Sequence, residues 1–407
     1  MKHLSRRTFG LGALGTALAA FTTGATPAQQ QRRFVFVHAR GGWDPLCVFA
    51  PKFSASAIDM EPEAAPVTVG NFQLVDHPAR PSTVPFFEAY RDQILLVNGI
   101  NTRSVNHETC QTVVLTGQTS DSGMDWPTAL AVADTSKYYM PHLVFGGPAF
   151  PGNETVYVSR AEGFVQQAIN GELLTFGDQP TTIPSSSVRG RLDAYLEQRA
   201  GELNQKHGLS ITENQRLAFE RGHDLVAADV IEFPPGDAME DLIASAVQAL
   251  ADDVTRCATI SSGFRWDTHP DNTLQSGLFE ELFGDLDGLL KLLASTPAPE
   301  GGMLSESTTV VVMSEMARTP AFNATNGRDH WPFTTAMIIG PGVTGGRTIG
   351  GYSDLYAGIG VDPKSGEPDA SRTGIDAKTF GATLLALGGV DPGSYVTGGE
   401  VIEGVLS

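Results

Sequence analysis

The sequence predicts an α/β fold, with a mainly parallel central sheet covered by helices on both faces. Three observations predict it. Short runs of β-branched, aliphatic and aromatic residues end in glycine, as Phe34-Val35-Phe36-Val37 does ahead of Gly41-Gly42. Runs that are apolar at every position suit strands buried on two faces. Helical stretches alternate with these runs, and that alternation implies right-handed βαβ units.

The strands are expected at 34–37, 94–97, 143–145, 309–313 and 336–339. Each of the second, third and fifth runs into a glycine turn: Asn98-Gly99, Gly146-Gly147 and Gly340-Pro341-Gly342. Helices are expected at about 107–116, 187–207, 238–259, 278–294 and 377–387. The stretch from about 181 to 260 breaks the alternation. It reads as mostly amphipathic helix, with Arg189, Arg191, Asp193, Glu197 and Arg199 on an outer face. We take it as a helical insertion on one domain spanning 29–407, either a cap over the site or a solvated face.

The first 28 residues read as a processing signal. Lys2, Arg6 and Arg7 form a basic start, a weakly apolar run follows, and Thr26-Pro27-Ala28 offers a cleavage site. Paired arginines before a weak apolar run mark the twin-arginine route, so the chain is expected in the periplasm or outside the cell. The run is short of the roughly 20 residues that a span needs. The expected transient partner is the twin-arginine translocase, and no membrane span is expected in the mature chain.

Three of the 27 basic residues and none of the 46 acidic ones lie in that signal, which leaves the mature chain at a net −22. Such a charge argues against nucleic acid as a partner. It does not exclude a small anionic substrate, because a bound cation or an arginine reverses the field locally. Three cysteines without a CxxC spacing make neither a disulfide framework nor a thiolate zinc site.

In open α/β sheets ligands bind beyond the carboxyl ends of the strands. Asp44 follows the first predicted strand, and Glu315 follows the valine-rich one. His107 opens a helix after the second strand. Asp267 and His269 are two apart, so an extended segment points both to one side. Asp329-His330 adds a second acid–imidazole pair. Carboxylates and imidazoles converging at one sheet edge suit one or two divalent cations.

The segments FVFVHARGGWD, NHETCQTVVLTG, RWDTH, VVVMSEMARTP and GRDHWPFTTAMIIGPGVTGG, in that order, resemble the exported bacterial family called domain of unknown function 1501. That family resembles a remote branch of the alkaline phosphatase and sulfatase superfamily. The resemblance implies a three-layer α/β/α sandwich, alkaline-phosphatase-like, with metals at the strand ends and phosphate or sulfate esters as substrates. It implies metal ligation by Asp44, Asp267, His269, Glu315 and His330, with Asp329 as a ligand or behind one. Arg318 is expected to neutralise the substrate anion.

Two departures stand out. Met316 follows Glu315 where the superfamily has a histidine. His107 stands where it has a Ser, Thr or Cys nucleophile, ten residues before Gly117. His107 is therefore expected as a metal ligand, as a nucleophile forming a phosphohistidine, or as the catalytic acid–base group. The metal is expected to be Zn, Mn or Ca. The leading expectation is a metal-dependent ester hydrolase. The alternatives are a non-catalytic binding or assembly protein that keeps the fold, or ordinary loop packing around Trp43, Trp266 and Trp331.

Overall fold

The computed structural model describes residues 32–134, 137–161, 175–176, 179–180, 185–207, 216 and 238–407. The signal read in residues 1–28 lies outside them, as does much of the expected insertion.

Among the described residues an eleven-stranded sheet forms the centre. Its strands are β1 (Arg33–Arg40), β2 (Ile94–Asn101), β3 (His142–Val144), β4 (Val158–Arg160), β5 (Cys257–Phe264), β6 (Thr308–Met313), β7 (Phe333–Ile339), β8 (Arg347–Tyr352), β9 (Gly358–Val361), β10 (Pro368–Thr373) and β11 (Ile375–Asp376). Their order is β10-β9-β8-β2-β7-β6-β1-β5-β3-β4, with β11 beside β2. The pairings β1–β6, β1–β5, β3–β5, β3–β4 and β2–β8 are parallel.

One central strand departs from the expected pattern. β7 is antiparallel to both β6 and β2. Its glycine turn therefore lies at the sheet edge opposite the carboxyl ends of β1, β2 and β6. Its start, just after His330, lies at the same edge as those ends.

The helices used below are α1 (Pro45–Val48), α2 (His107–Thr116), α3 (Trp126–Val132), α4 (Ser186–His207), α5 (Met239–Ala251), α6 (Leu274–Ser295) and α7 (Ala377–Leu387). Alternation along β1 builds two cores. Val35 and Val37 pack with Ile243 and Val247 of α5 and with Phe279, Phe283 and Leu286 of α6. Phe34 and Phe36 pack with Val114 of α2, Leu130 of α3 and Phe380 and Leu384 of α7. Successive side chains of a strand point to opposite faces, so one strand serves both layers. The result is a three-layer α/β/α sandwich.

The helix expected at 238–259 is corrected. It ends at Ala251, a turn follows with Asp253 at φ 54°, and β5 begins at Cys257. The polar residues Thr259 and Ser261 interrupt the continuous apolar run by which a buried strand is recognised. Its Thr259 is buried against His142 of β3, which bonds the hydroxyl at 2.8 Å. Residues 257–260 thus belong to the central sheet. α4 lies within the expected insertion, and residues 181–184, 208–215 and 217–237 lie outside the described residues. The cysteines Cys47, Cys110 and Cys257 are all buried and unbridged.

Candidate metal centre

The carboxyl edge of β1, β2, β5 and β6 gathers most of the expected residues. His107 is the first residue of α2, whose start is capped by the Asn106 side chain accepting from the Thr109 amide. Glu315 follows β6. Asp267 and His269 follow β5. His330 lies on a two-residue strand, His330–Trp331, paired with Ala317–Arg318.

Three imidazoles surround one carboxylate oxygen, Oδ1 of Asp267. The Nε2 atoms of His107, His269 and His330 lie 3.5, 3.2 and 3.3 Å from it. In each ring the other nitrogen is tied to an acceptor. His107 Nδ1 donates to Glu315 Oε1 at 2.9 Å. His330 Nδ1 donates to the Val105 carbonyl at 2.6 Å. His269 Nδ1 donates to Asp329 Oδ1 at 2.9 Å. A carbonyl or ionised carboxylate only accepts, so each bond places the proton on Nδ1 and leaves the Nε2 lone pair facing inward.

His107 Nε2 is buried without a hydrogen-bond partner among the described residues. His269 Nε2 and His330 Nε2 are 2.8 Å apart. Two inward lone pairs at that separation repel unless a proton or a cation lies between them. Among the described residues His107, Asp267 and His330 offer ligand atoms all within 4.8 Å of one another. That set combines imidazole nitrogens with a carboxylate oxygen, the donors of catalytic zinc sites.

Glu315 is fully buried. Burial pushes its carboxyl toward the neutral form, but the bond to His107 and the Gly41 amide at 2.8 Å outweigh this and hold its pKa below the ordinary value. Burial likewise opposes ionisation of Asp267, and Arg318 outweighs it, again lowering the pKa. Burial lowers the pKa of His330, with the Val105 bond opposing.

The backbone is shaped to this contact. Gly41 has φ 113°, and a Cβ there would meet the Asp267 amide nitrogen at 2.6 Å. Only glycine allows the β1 turn to lie against the Asp267 segment in that conformation.

Two expected site residues are engaged by other partners. Asp44 does not join the cluster. It is fully buried, caps α1 through the Leu46 amide, accepts from Asn272 at 2.8 Å and pairs with Arg328 at 3.1 Å. Its carboxylate is consumed by that network. Arg318 is turned into the protein. It is fully buried, and its guanidinium donates to the carbonyls of Gly41, Gly42, Trp266 and Arg328 and to Asp267 Oδ1 at 2.7 Å. It ties three backbone segments together and orients Asp267. Glu315 and Asp329 lie behind histidines, on Nδ1, on the side away from the shared oxygen.

Val105 entered no sequence expectation, because a backbone carbonyl carries no residue-type signal. Trp43 and Trp266 are buried in the core with Phe279, while Trp331 stacks on Tyr356.

The family model described as protein of unknown function (DUF1501) matches residues 31–398. No curated protein matches the chain. Solved structures with a distant likeness include PsFucS1 sulfatase from Pseudoalteromonas sp., at 10% identity and TM-score 0.43, covering 93% of this chain and 73% of that one. The lipoteichoic acid synthase LtaP from Listeria monocytogenes gives 10% identity and TM-score 0.41, covering 94% and 80%. A protein in the alkaline phosphatase superfamily from Vibrio parahaemolyticus gives 10% identity and TM-score 0.37, covering 91% and 70%. Since the family model spans nearly all of the described sheet and every residue of the histidine cluster, the chain belongs to the DUF1501 family.

Proposed function

We propose that the chain is an exported, metal-dependent hydrolase of phosphate or sulfate esters. The observation that carries this reading is the convergence of three Nε2 atoms on Asp267 Oδ1, each ring backed by an acceptor on Nδ1. His107, Asp267 and His330 would hold the cation. Three protein ligands are the number that catalytic zinc sites use. A divalent ion there supplies Lewis acidity toward an ester oxygen and lowers the pKa of water. Two imidazoles in the set favour Zn or Mn over Ca, which takes oxygen ligands.

His269 is the most exposed of the three histidines, and Asp329 behind it is more exposed still. This pair is placed to exchange a proton with solvent. The proton leaves the attacking water and reaches the departing alcohol oxygen as the ester bond breaks. Water is the nucleophile. The Thr109 hydroxyl is turned to its own helix cap at Asn106, and the Cys110 thiol is buried, bonded to Ser104 and raised in pKa by that burial.

Export by the twin-arginine route belongs to the same reading, since that route carries folded, metal-loaded protein. Among the described residues no helix is long and apolar enough to cross a membrane.

The test is elemental analysis of protein purified after natural export, followed by turnover on a panel of aryl and sugar phosphates and sulfates. About one Zn or Mn per chain with turnover abolished by chelation is expected. Metal-free protein, or metal-loaded protein inert on the panel, refutes the hydrolase. A stable periplasmic partner on inert, metal-loaded protein would instead support the binding or assembly alternative.

A further inference from the structure

The cation that meets the substrate must be sought beside the cluster, because Arg318 is buried and fully engaged. Arg103 and Arg265 are exposed but paired with Asp376 and Glu281. Arg40 differs. It ends β1 at the site edge and is half-buried. Its guanidinium forms no hydrogen bond or ion pair with any described residue, and its Nε is buried without a partner. This is unusual in a chain with 46 acidic residues against 27 basic ones.

A β-bulge sets its position. The β1–β5 register passes from His38↔Ser261 to Arg40↔Phe264, so β5 carries one extra residue there. Gly263 at φ 78° takes up the distortion. Bulges re-aim side chains beside active sites. Here the bulge brings Phe264 opposite Arg40, whose Cζ lies 5.6 Å from the ring centroid. The same ring meets His107 edge to face, with centroids 4.7 Å apart. Phe264 is 46% exposed, so part of its ring stays open to solvent beside the cluster. Its contacts form a continuous row from the cluster, through an open aromatic face, to an unpaired guanidinium.

We infer that Arg40 and Phe264 form a subsite for the leaving-group portion of the substrate, and that this portion carries a second anionic group. Phe264 packs an aryl or sugar face, and Arg40 binds a carboxylate, phosphate or sulfate on it. This rests on the ester chemistry proposed for the cluster. The substrate class is thus a bis-anionic ester, with one anion at His107, Asp267 and His330 and the other at Arg40. Arg suits the second position because its planar fork binds such groups with two parallel bonds.

The experiment is calorimetric titration of the zinc-loaded full chain with two non-hydrolysable probes, phenylphosphonate and para-carboxyphenylphosphonate. The wild type is expected to bind the carboxylated probe roughly 10-fold more tightly, the scale of one charge-assisted contact. Arg40→Gln should erase that preference while leaving phenylphosphonate affinity and zinc content unchanged. Arg40→Lys should restore part of it, and Phe264→Ala should weaken both probes. A wild type without the preference, or an Arg40→Gln chain that keeps it, overturns the subsite. Turnover on simple esters without the preference also defeats the subsite and leaves the hydrolase standing. An Arg40-dependent preference in a chain that hydrolyses nothing defeats the hydrolase and leaves the subsite standing.

Discussion

The buried Glu315 carboxylate accepts the Nδ1 proton of His107 at 2.9 Å, and through that bond it decides which way the imidazole lone pair points. The Gly41 amide and the Ser314 hydroxyl hold the carboxylate in turn, at 2.8 and 3.3 Å. A ligand histidine needs its second nitrogen fixed in this way, and loss of such a partner typically costs 10- to 100-fold in metal affinity.

The first prediction separates ligands from supports. His107→Ala, His330→Ala and Asp267→Ala should purify without the ion. Glu315→Gln should bind it, with affinity lowered roughly 10- to 100-fold. Competition against a chelator of known affinity measures the difference. Equal loss in all four would place Glu315 among the ligands.

Asp44 should behave as a structural residue. Its side chain and that of Arg328 are each about 1% exposed. Asp44→Asn keeps an N-cap for α1 but strands the Arg328 charge. We expect a loss of about 3 kcal/mol of stability. Metal content should not change. Denaturant unfolding and elemental analysis check both halves, and a metal-free but fully stable variant would return Asp44 to the metal set.

Gly327 holds His269 by sheer proximity. A Cβ at 327 would overlap the His269 carbonyl oxygen, which already accepts from Asn323 at 2.9 Å. Gly327→Ala must push the 269 segment away. It should cost on the order of 2 kcal/mol. Turnover should drop as it does in His269→Ala, with the ion retained in both. Loss of the ion in His269→Ala would make His269 a fourth ligand.

His38 makes stability depend on pH. It is fully buried on β1, and neither ring nitrogen has a partner among the described residues. Burial, with help from Arg40 and against Glu315, lowers its pKa from 6.5 to about 4. The unfolded chain then takes up a proton that the folded chain refuses. Stability is full above pH 6.5 and is lost as pH falls toward 4. Between pH 7.5 and pH 5 this group alone should remove about 2 kcal/mol. His38→Met should flatten that slope, read as the difference in unfolding free energy between variant and wild type at the two pH values. Parallel curves would show that His38 titrates normally.

The strand runs were legible because burial on two faces leaves short apolar stretches, rich in β-branched residues and mostly closed by glycine turns. The runs at 34–37, 94–97, 309–313 and 336–339 lie in strands, 143–145 overruns its strand by one residue at Phe145, and 107–116 and 377–387 match α2 and α7. The helix expected at 238–259 ran too far because Thr259 is a polar residue buried on a strand, and its partner His142 lies 117 positions away. Of the expected ligands, His107, Asp267, His269 and His330 do converge, and Glu315 and Asp329 back two of them.

By itself, then, the sequence determined the layer architecture and the chemical types present at the sheet edge, because periodicity and residue chemistry are local properties. Tertiary structure decided which of those groups share an oxygen. The antiparallel course of β7 delivers His330 to the edge where β1, β2 and β6 end. The partners Arg328 and Asn272 withdraw Asp44 from that edge, and a ring of carbonyls withdraws Arg318. A side chain's role depends on who satisfies its charge or hydrogen bonds, and those partners arrive from distant parts of the chain only when it folds.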